Sequence, residues 1–115
     1  VTSESTILAE VRLYLGTLPA CEAMFIRINT GVFRPLHGAQ DRAIRSAPNG
    51  TADLLGVYRG YPVAIETKRP KNSAQRKAQK DFEVAWRAAG GVYILARSVD
   101  DVKFALASLA CGLPA

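Results

Sequence analysis

The sequence has little of what marks a disulfide scaffold, a zinc protein or a membrane span. It holds two cysteines and one histidine in 115 residues. Cys21 and Cys111 lie far apart and form no CxxC pair, so a zinc site is not expected. They read as small apolar residues or surface thiols of a reducing compartment, with a disulfide between them left open. No apolar run approaches about 18 residues and no signal-peptide pattern opens the chain, so neither membrane insertion nor export is expected. Acidic residues are scarce too: 10 Asp and Glu stand against 15 Lys and Arg, a net charge of +5. That balance favours a polyanionic partner. Ten of the fifteen bases are Arg, which grips phosphate bidentately and stacks on bases.

What is present fits an ordinary globular protein, with 49% hydrophobic and 22% charged residues. The length predicts one domain over 1–115, large enough for a core without staples. Residues 3–17 read as a helix: Ser3 is a candidate N-cap, and Ile7, Val11, Tyr14 and Leu18 recur at helical spacing. Met24 to Asn29 alternates as a strand. Residues 30–49 have no clear period and carry Gly31, Pro35, His37, Gly38 and Pro48, which predicts a long functional loop. Residues 53–58 and 62–68 form a predicted hairpin turning through Arg59-Gly60-Tyr61. A helix is expected over 73–89 with Ser73 as N-cap and Ala78, Phe82, Ala85 and Ala89 as its buried stripe, Trp86 beside them. Phe82 and Trp86 are assigned to the core rather than to base stacking. Val92 to Ala96 is a short buried strand. Ser98 caps a last helix to about Ala110, with Asp100 and Asp101 in its first turn.

The chemistry concentrates between Gly50 and Lys68. Asp53 opens one strand of the hairpin and Glu66-Thr67-Lys68 closes the other, so the two carboxylates meet at one end. Lys68 lies two residues beyond Glu66 and faces the same side of a strand. Two carboxylates and an ammonium around one point suit metal-dependent hydrolysis of a phosphodiester. Hard oxygen ligands select Mg²⁺ or Mn²⁺. Taken singly, each residue has a plainer role: Asp53 in a turn, Glu66 and Lys68 as a charge pair, Gln79 on the surface.

The ordered set resembles the VRR-NUC (virus-type replication-repair nuclease) family of the PD-(D/E)xK nucleases. The landmarks are Glu10 in the first helix, Asn29-Thr30-Gly31, Gly50-Thr51-Ala52-Asp53, Glu66-Thr67-Lys68, Gln79, Gly90-Gly91 and Ser98. Two departures stand out. Ala52 replaces the usual Pro or other small residue before the Asp. Arg76 stands where the family often has a Ser three residues before its helix Gln, which leaves the start of that helix unfixed.

The resemblance implies an α/β restriction-endonuclease-like core of order αβββαβα, with a mixed central sheet flanked by helices. It implies Asp53, Glu66, Lys68 and Gln79 as catalytic residues. Glu10, Asp53, Glu66 and the Thr67 carbonyl would be the metal ligands. Lys68 would orient the attacking water or stabilise phosphoryl charge, and Gln79 would position Lys68 or a phosphate. Asn29, Arg34, Arg42, Arg45, Arg69 and Lys71 are the candidate DNA contacts. The expected function is a Mg²⁺- or Mn²⁺-dependent DNA endonuclease, structure-specific on branched DNA such as Holliday junctions. It would act as a homodimer in the cytoplasm of a bacterial or phage-infected cell, with no membrane partner and no small-molecule cofactor. Two cuts in a four-way junction need two active sites, which two-fold symmetry supplies. Val102, Phe104, Leu106 and Leu109 of the last helix are the candidate dimer surface. The alternatives are a flap- or end-directed or non-specific nuclease, an RNA target, and a DNA-binding module that has lost catalysis.

Overall fold

The computed structural model describes residues 2–28, 47–71 and 73–112 in full, and residues 32–33 and 44–45 by their backbone. The elements run α1 (Glu4–Gly16), β1 (Ala23–Arg27), β2 (Val32–Phe33), β3 (Ile44–Arg45), β4 (Leu54–Tyr58), β5 (Tyr61–Thr67), α2 (Lys77–Ala88), β6 (Val92–Ala96) and α3 (Val99–Ala110). The expected order is present, with one addition. β2 and β3 pair antiparallel inside the segment read as loop. Two-residue strands are too short to show alternation, so periodicity could not reveal them.

The main sheet has the order β1-β4-β5-β6. β1–β4 and β4–β5 are antiparallel, whereas β5–β6 is parallel and connected through α2. The hairpin closes at Tyr58↔Tyr61 through Arg59 and Gly60, both at positive φ (48° and 86°). Two consecutive positive φ values match the right-handed twist of the flanking strands. The turn is therefore one residue shorter than the sequence suggests.

α1 and α3 cover one face of the sheet. Ile7, Val11 and Leu15 of α1 and Val102, Leu106 and Leu109 of α3 pack with Leu54, Tyr58, Val63, Ile65, Ile94 and Ala96. Both helices start as predicted: Ser3 Oγ accepts from the Thr6 N–H at 3.2 Å, and Ser98 Oγ from the Asp101 N–H at 3.3 Å. Three of the four side chains offered as a dimer surface thus belong to the core. Phe104 alone stays outside, 76% exposed.

α2 lies on the opposite face, and two expectations about it are corrected. It begins at Lys77, a turn after Ser73, and its N-cap is Arg76. The Gln79 side chain makes the cap by accepting from the Arg76 N–H at 2.9 Å. Its inward stripe is Gln79, Phe82 and Trp86, whereas Ala85 and Ala89 are exposed. Phe82 and Trp86 stack at 5.6 Å and pack with Ala52, Ala64 and Tyr93, as their core assignment required. Bulky rings bury more area than alanines at neighbouring positions, so they set the rotation of the helix. Among the described residues no helix is long and apolar enough to cross a membrane. Cys21 and Cys111 are exposed and unpaired.

Candidate active site

The register that pairs Leu54 with Ile65 brings Asp53, one residue before β4, opposite Glu66 in β5. Both line a cleft of about 190 Å³ together with Glu4, Asn49, Gly50, Thr51, Arg76, Ala78 and Gln79. A larger depression of about 390 Å³ lies between α1 and β1. Its lining includes Arg12, Leu15, Phe25 and Arg27 but no acid and none of the predicted catalytic residues.

Each carboxylate of the pair is held by a different device. Asp53 Oδ2 accepts from the Thr67 N–H at 2.9 Å and from Thr67 Oγ1 at 2.8 Å. Its own carbonyl accepts from the Ile28 N–H at 2.8 Å, which ties the Asp to the end of β1. Thr67 therefore orients Asp53 through its amide and hydroxyl, a role the sequence did not suggest. Glu66 is 4% exposed, and its Oε2 accepts from Gln79 Nε2 at 2.9 Å. Because Gln79 Oε1 already takes the Arg76 N–H, the amide must turn its NH₂ toward Glu66. Gln79 thus positions Glu66, a partner the sequence did not suggest.

Glu66 Oε1 is buried with no hydrogen-bond partner among the described residues. A buried polar atom left unpaired is costly and calls for an explanation. Burial, and then the neighbouring Asp53 charge, push the Glu66 carboxyl up to about 8, with Lys68 pulling the other way. Lys68 is itself 5% exposed, and its N–H continues the parallel ladder to the Ala96 carbonyl at 2.9 Å.

Glu10 is not part of this cleft. It lines a separate surface depression with Leu13, Tyr14, Thr17, Val99 and Lys103. At 100° per residue, Glu10 sits about a quarter-turn off the Ile7–Val11–Leu15 stripe, while Glu4 lies almost on it. Glu4, in the first turn of α1, is the helix carboxylate that reaches the cleft. Its spacing to Ile7 and Val11 was the available signal. Among the described residues no group of three His, Cys, Asp or Glu side chains is gathered as a ready ligand set. Mg²⁺ typically uses one or two carboxylates and keeps several waters, so the Asp53–Glu66 pair is a sufficient protein contribution.

Arg69 and Lys71 follow β5 and do not line the cleft. The Arg69 carbonyl accepts from Arg97 Nη1 at 2.7 Å. Asn29, Arg34, Arg42 and the side chain of Arg45 lie outside the described residues. Tyr93, unnoticed in the sequence, is 3% exposed. It accepts from Gln75 Nε2 at 3.1 Å through its hydroxyl, anchoring the segment before α2.

Gln79→Ala should therefore loosen Glu66 without removing a carboxylate. The expected result is a divalent-ion affinity lower by about 10–100-fold, read by calorimetric titration, with the fold retained.

The sequence matches no family model and no curated protein. A solved structure described as a VRR_NUC domain superposes with a TM-score of 0.64, covering 93% of this chain and 97% of its own, at 18% identity. The chain has the fold of a VRR-NUC domain.

Proposed function

We propose that the chain is a divalent-metal-dependent DNA endonuclease, selective for branched DNA such as a four-way junction and active as a homodimer. The observation that carries this reading is the orphaned Glu66 oxygen, buried beside Asp53 in a cleft open to solvent. A fold stabilised for its own sake has no use for an unpaired buried carboxylate oxygen. A hard cation accounts for it, since the donors are all oxygen. Asp53, Glu66 and the Thr67 carbonyl would hold Mg²⁺ or Mn²⁺. The bound ion would lower the pKa of a water and neutralise phosphoryl charge.

The protein's own groups do the rest. Thr67 fixes Asp53 and Gln79 fixes Glu66, so both carboxylates are oriented before substrate arrives. Glu66, protonated below about 8, gives up its proton when it takes a ligand's role. Lys68, which does not line the cleft but whose charge acts on Glu66, would hold the attacking water or the charge on the phosphoryl oxygens. The net charge of +5 supports DNA as the polyanion. Dimerisation rests on the need for two symmetric cuts, and exposed Leu13 (74%) and Phe104 (76%) leave apolar surface for it.

The test is cleavage of labelled four-way junction, flap, linear duplex and single strand in Mn²⁺ against EDTA, with Asp53→Asn alongside and sedimentation of the free protein. Paired symmetric cuts in the junction, reduced at least about 10³-fold in Asp53→Asn, are expected. Cutting of flaps or ends by a monomer would overturn the junction and dimer assignments. Equal cutting by Asp53→Asn would overturn the site.

A further inference from the structure

We propose that Arg76 is a substrate contact, gripping a backbone phosphate of the strand that lies over the carboxylate pair. This deepens the nuclease reading and rests on it. Arg76 is the cation among the described residues that line the cleft, which it shares with Glu4, Asp53 and Glu66. The carboxylates of Glu4 and Asp53 repel a polyanion, and a cation at the rim offsets part of that repulsion.

The position is fixed relative to the chemistry. The Arg76 N–H donates to Gln79 Oε1 at 2.9 Å, and Gln79 Nε2 donates to Glu66 Oε2 at 2.9 Å. Two hydrogen bonds therefore register the base of the Arg76 side chain to Glu66. Arg76 is also the N-cap of a 12-residue helix, so the positive end of that helix dipole faces the same cleft.

Among the described residues the Arg76 guanidinium enters no ion pair. Among the described residues the ion pairs join Arg59 to Glu22, Lys77 to Asp81 and Arg87 to Glu83. Arg76 belongs to none of them, although its neighbour Lys77 is tied to Asp81 at 2.8 Å. Its five planar N–H donors suit the paired oxygens of a phosphodiester.

The experiment measures binding of a labelled four-way junction and a linear duplex in Ca²⁺, over a range of KCl, for wild type, Arg76→Ala, Arg76→Lys and Lys77→Ala. Circular dichroism checks each fold, and Mn²⁺ cleavage is run in parallel. Arg76→Ala is expected to raise Kd about tenfold on both DNAs and to make the log K against log salt slope shallower by about one. Arg76→Lys should keep the slope and recover part of the affinity, and Lys77→Ala should match wild type. Unchanged affinity and slope in Arg76→Ala would overturn the proposal, as would equal losses in Arg76→Ala and Lys77→Ala. Wild type that binds with this pattern but never cuts would support the Arg76 contact and overturn the nuclease reading alone. Wild type that does not bind DNA would overturn both.

Discussion

Glu66→Gln is expected to abolish divalent-ion-dependent cleavage and, at the same time, to stabilise the metal-free protein at pH 8. The two effects have opposite signs for one reason. The carboxyl has an ordinary value of 4.5 and is raised in the fold to about 8, chiefly by burial and then by Asp53. Between those values the folded chain keeps a proton that the unfolded chain has lost. The contribution of Glu66 is therefore fully present below about 4.5 and is lost as pH rises to about 8, at no more than about 1.4 kcal/mol per pH unit. The amide of Gln mimics the protonated carboxyl, so the loss disappears. Thermal melts of metal-free protein at pH 5 and pH 8 check this. Wild type should melt lower at pH 8, and Glu66→Gln should melt higher than wild type there by on the order of 5–10 °C. At pH 5 the two should nearly coincide. Added Mn²⁺ should raise the wild-type melt at pH 8 by mass action and leave the variant unmoved. A variant that melts below wild type at pH 8 would show that the buried carboxylate is not the liability argued above.

Gly50→Ala is expected to be among the most damaging single substitutions in the chain. Gly50 has φ +88°, where a side chain is strained, and its α-carbon lies against the first turn of α2. A methyl there would overlap the Ala78 carbonyl and sit 2.9 Å from the Ala78 side chain. Backbone strain and overpacking together cost about 2–5 kcal/mol, so the melting temperature should fall by on the order of 10 °C. The same clash pushes α2 outward, and α2 carries Gln79, the group that holds Glu66. Cleavage should therefore fall even at temperatures where the variant is folded. Chemical denaturation with activity measured well below the transition separates the two effects. Wild-type stability in Gly50→Ala would mean that the loop does not abut the helix.

The parts of the fold that were legible in the sequence are those fixed by short-range chemistry. Ser3 and Ser98 cap their helices with their own hydroxyls, and the hairpin turns within the expected Arg59-Gly60-Tyr61, at Arg59-Gly60 alone because a right-twisted pair demands positive φ. Asp53 and Glu66 meet because the length of that hairpin dictates their register. What escaped was set by contacts distant in sequence. Ser73 is a good capping residue, yet the helix starts where Gln79 can serve the Arg76 N–H and Glu66 together. Ala85 and Ala89 have helical spacing with Ala78, but Phe82 and Trp86 bury more surface and turn the helix toward themselves. Glu10 follows from a family landmark alone, whereas phase with Ile7 and Val11 places Glu4 toward the sheet. Val102, Leu106 and Leu109 were surplus only on the assumption of a one-faced helix; α1 and the sheet use them all.

The central claim is that Asp53 and Glu66 form a divalent-cation site, and it is tested most directly by calorimetric titration of Mn²⁺ into metal-free wild type and Asp53→Asn. Running each titration in two buffers of different ionisation heat counts protons released. Saturable binding by wild type is expected, with proton release from Glu66 and an affinity at least about 100-fold weaker in a folded Asp53→Asn. Equal Mn²⁺ binding by the two proteins, or none by wild type, would contradict it.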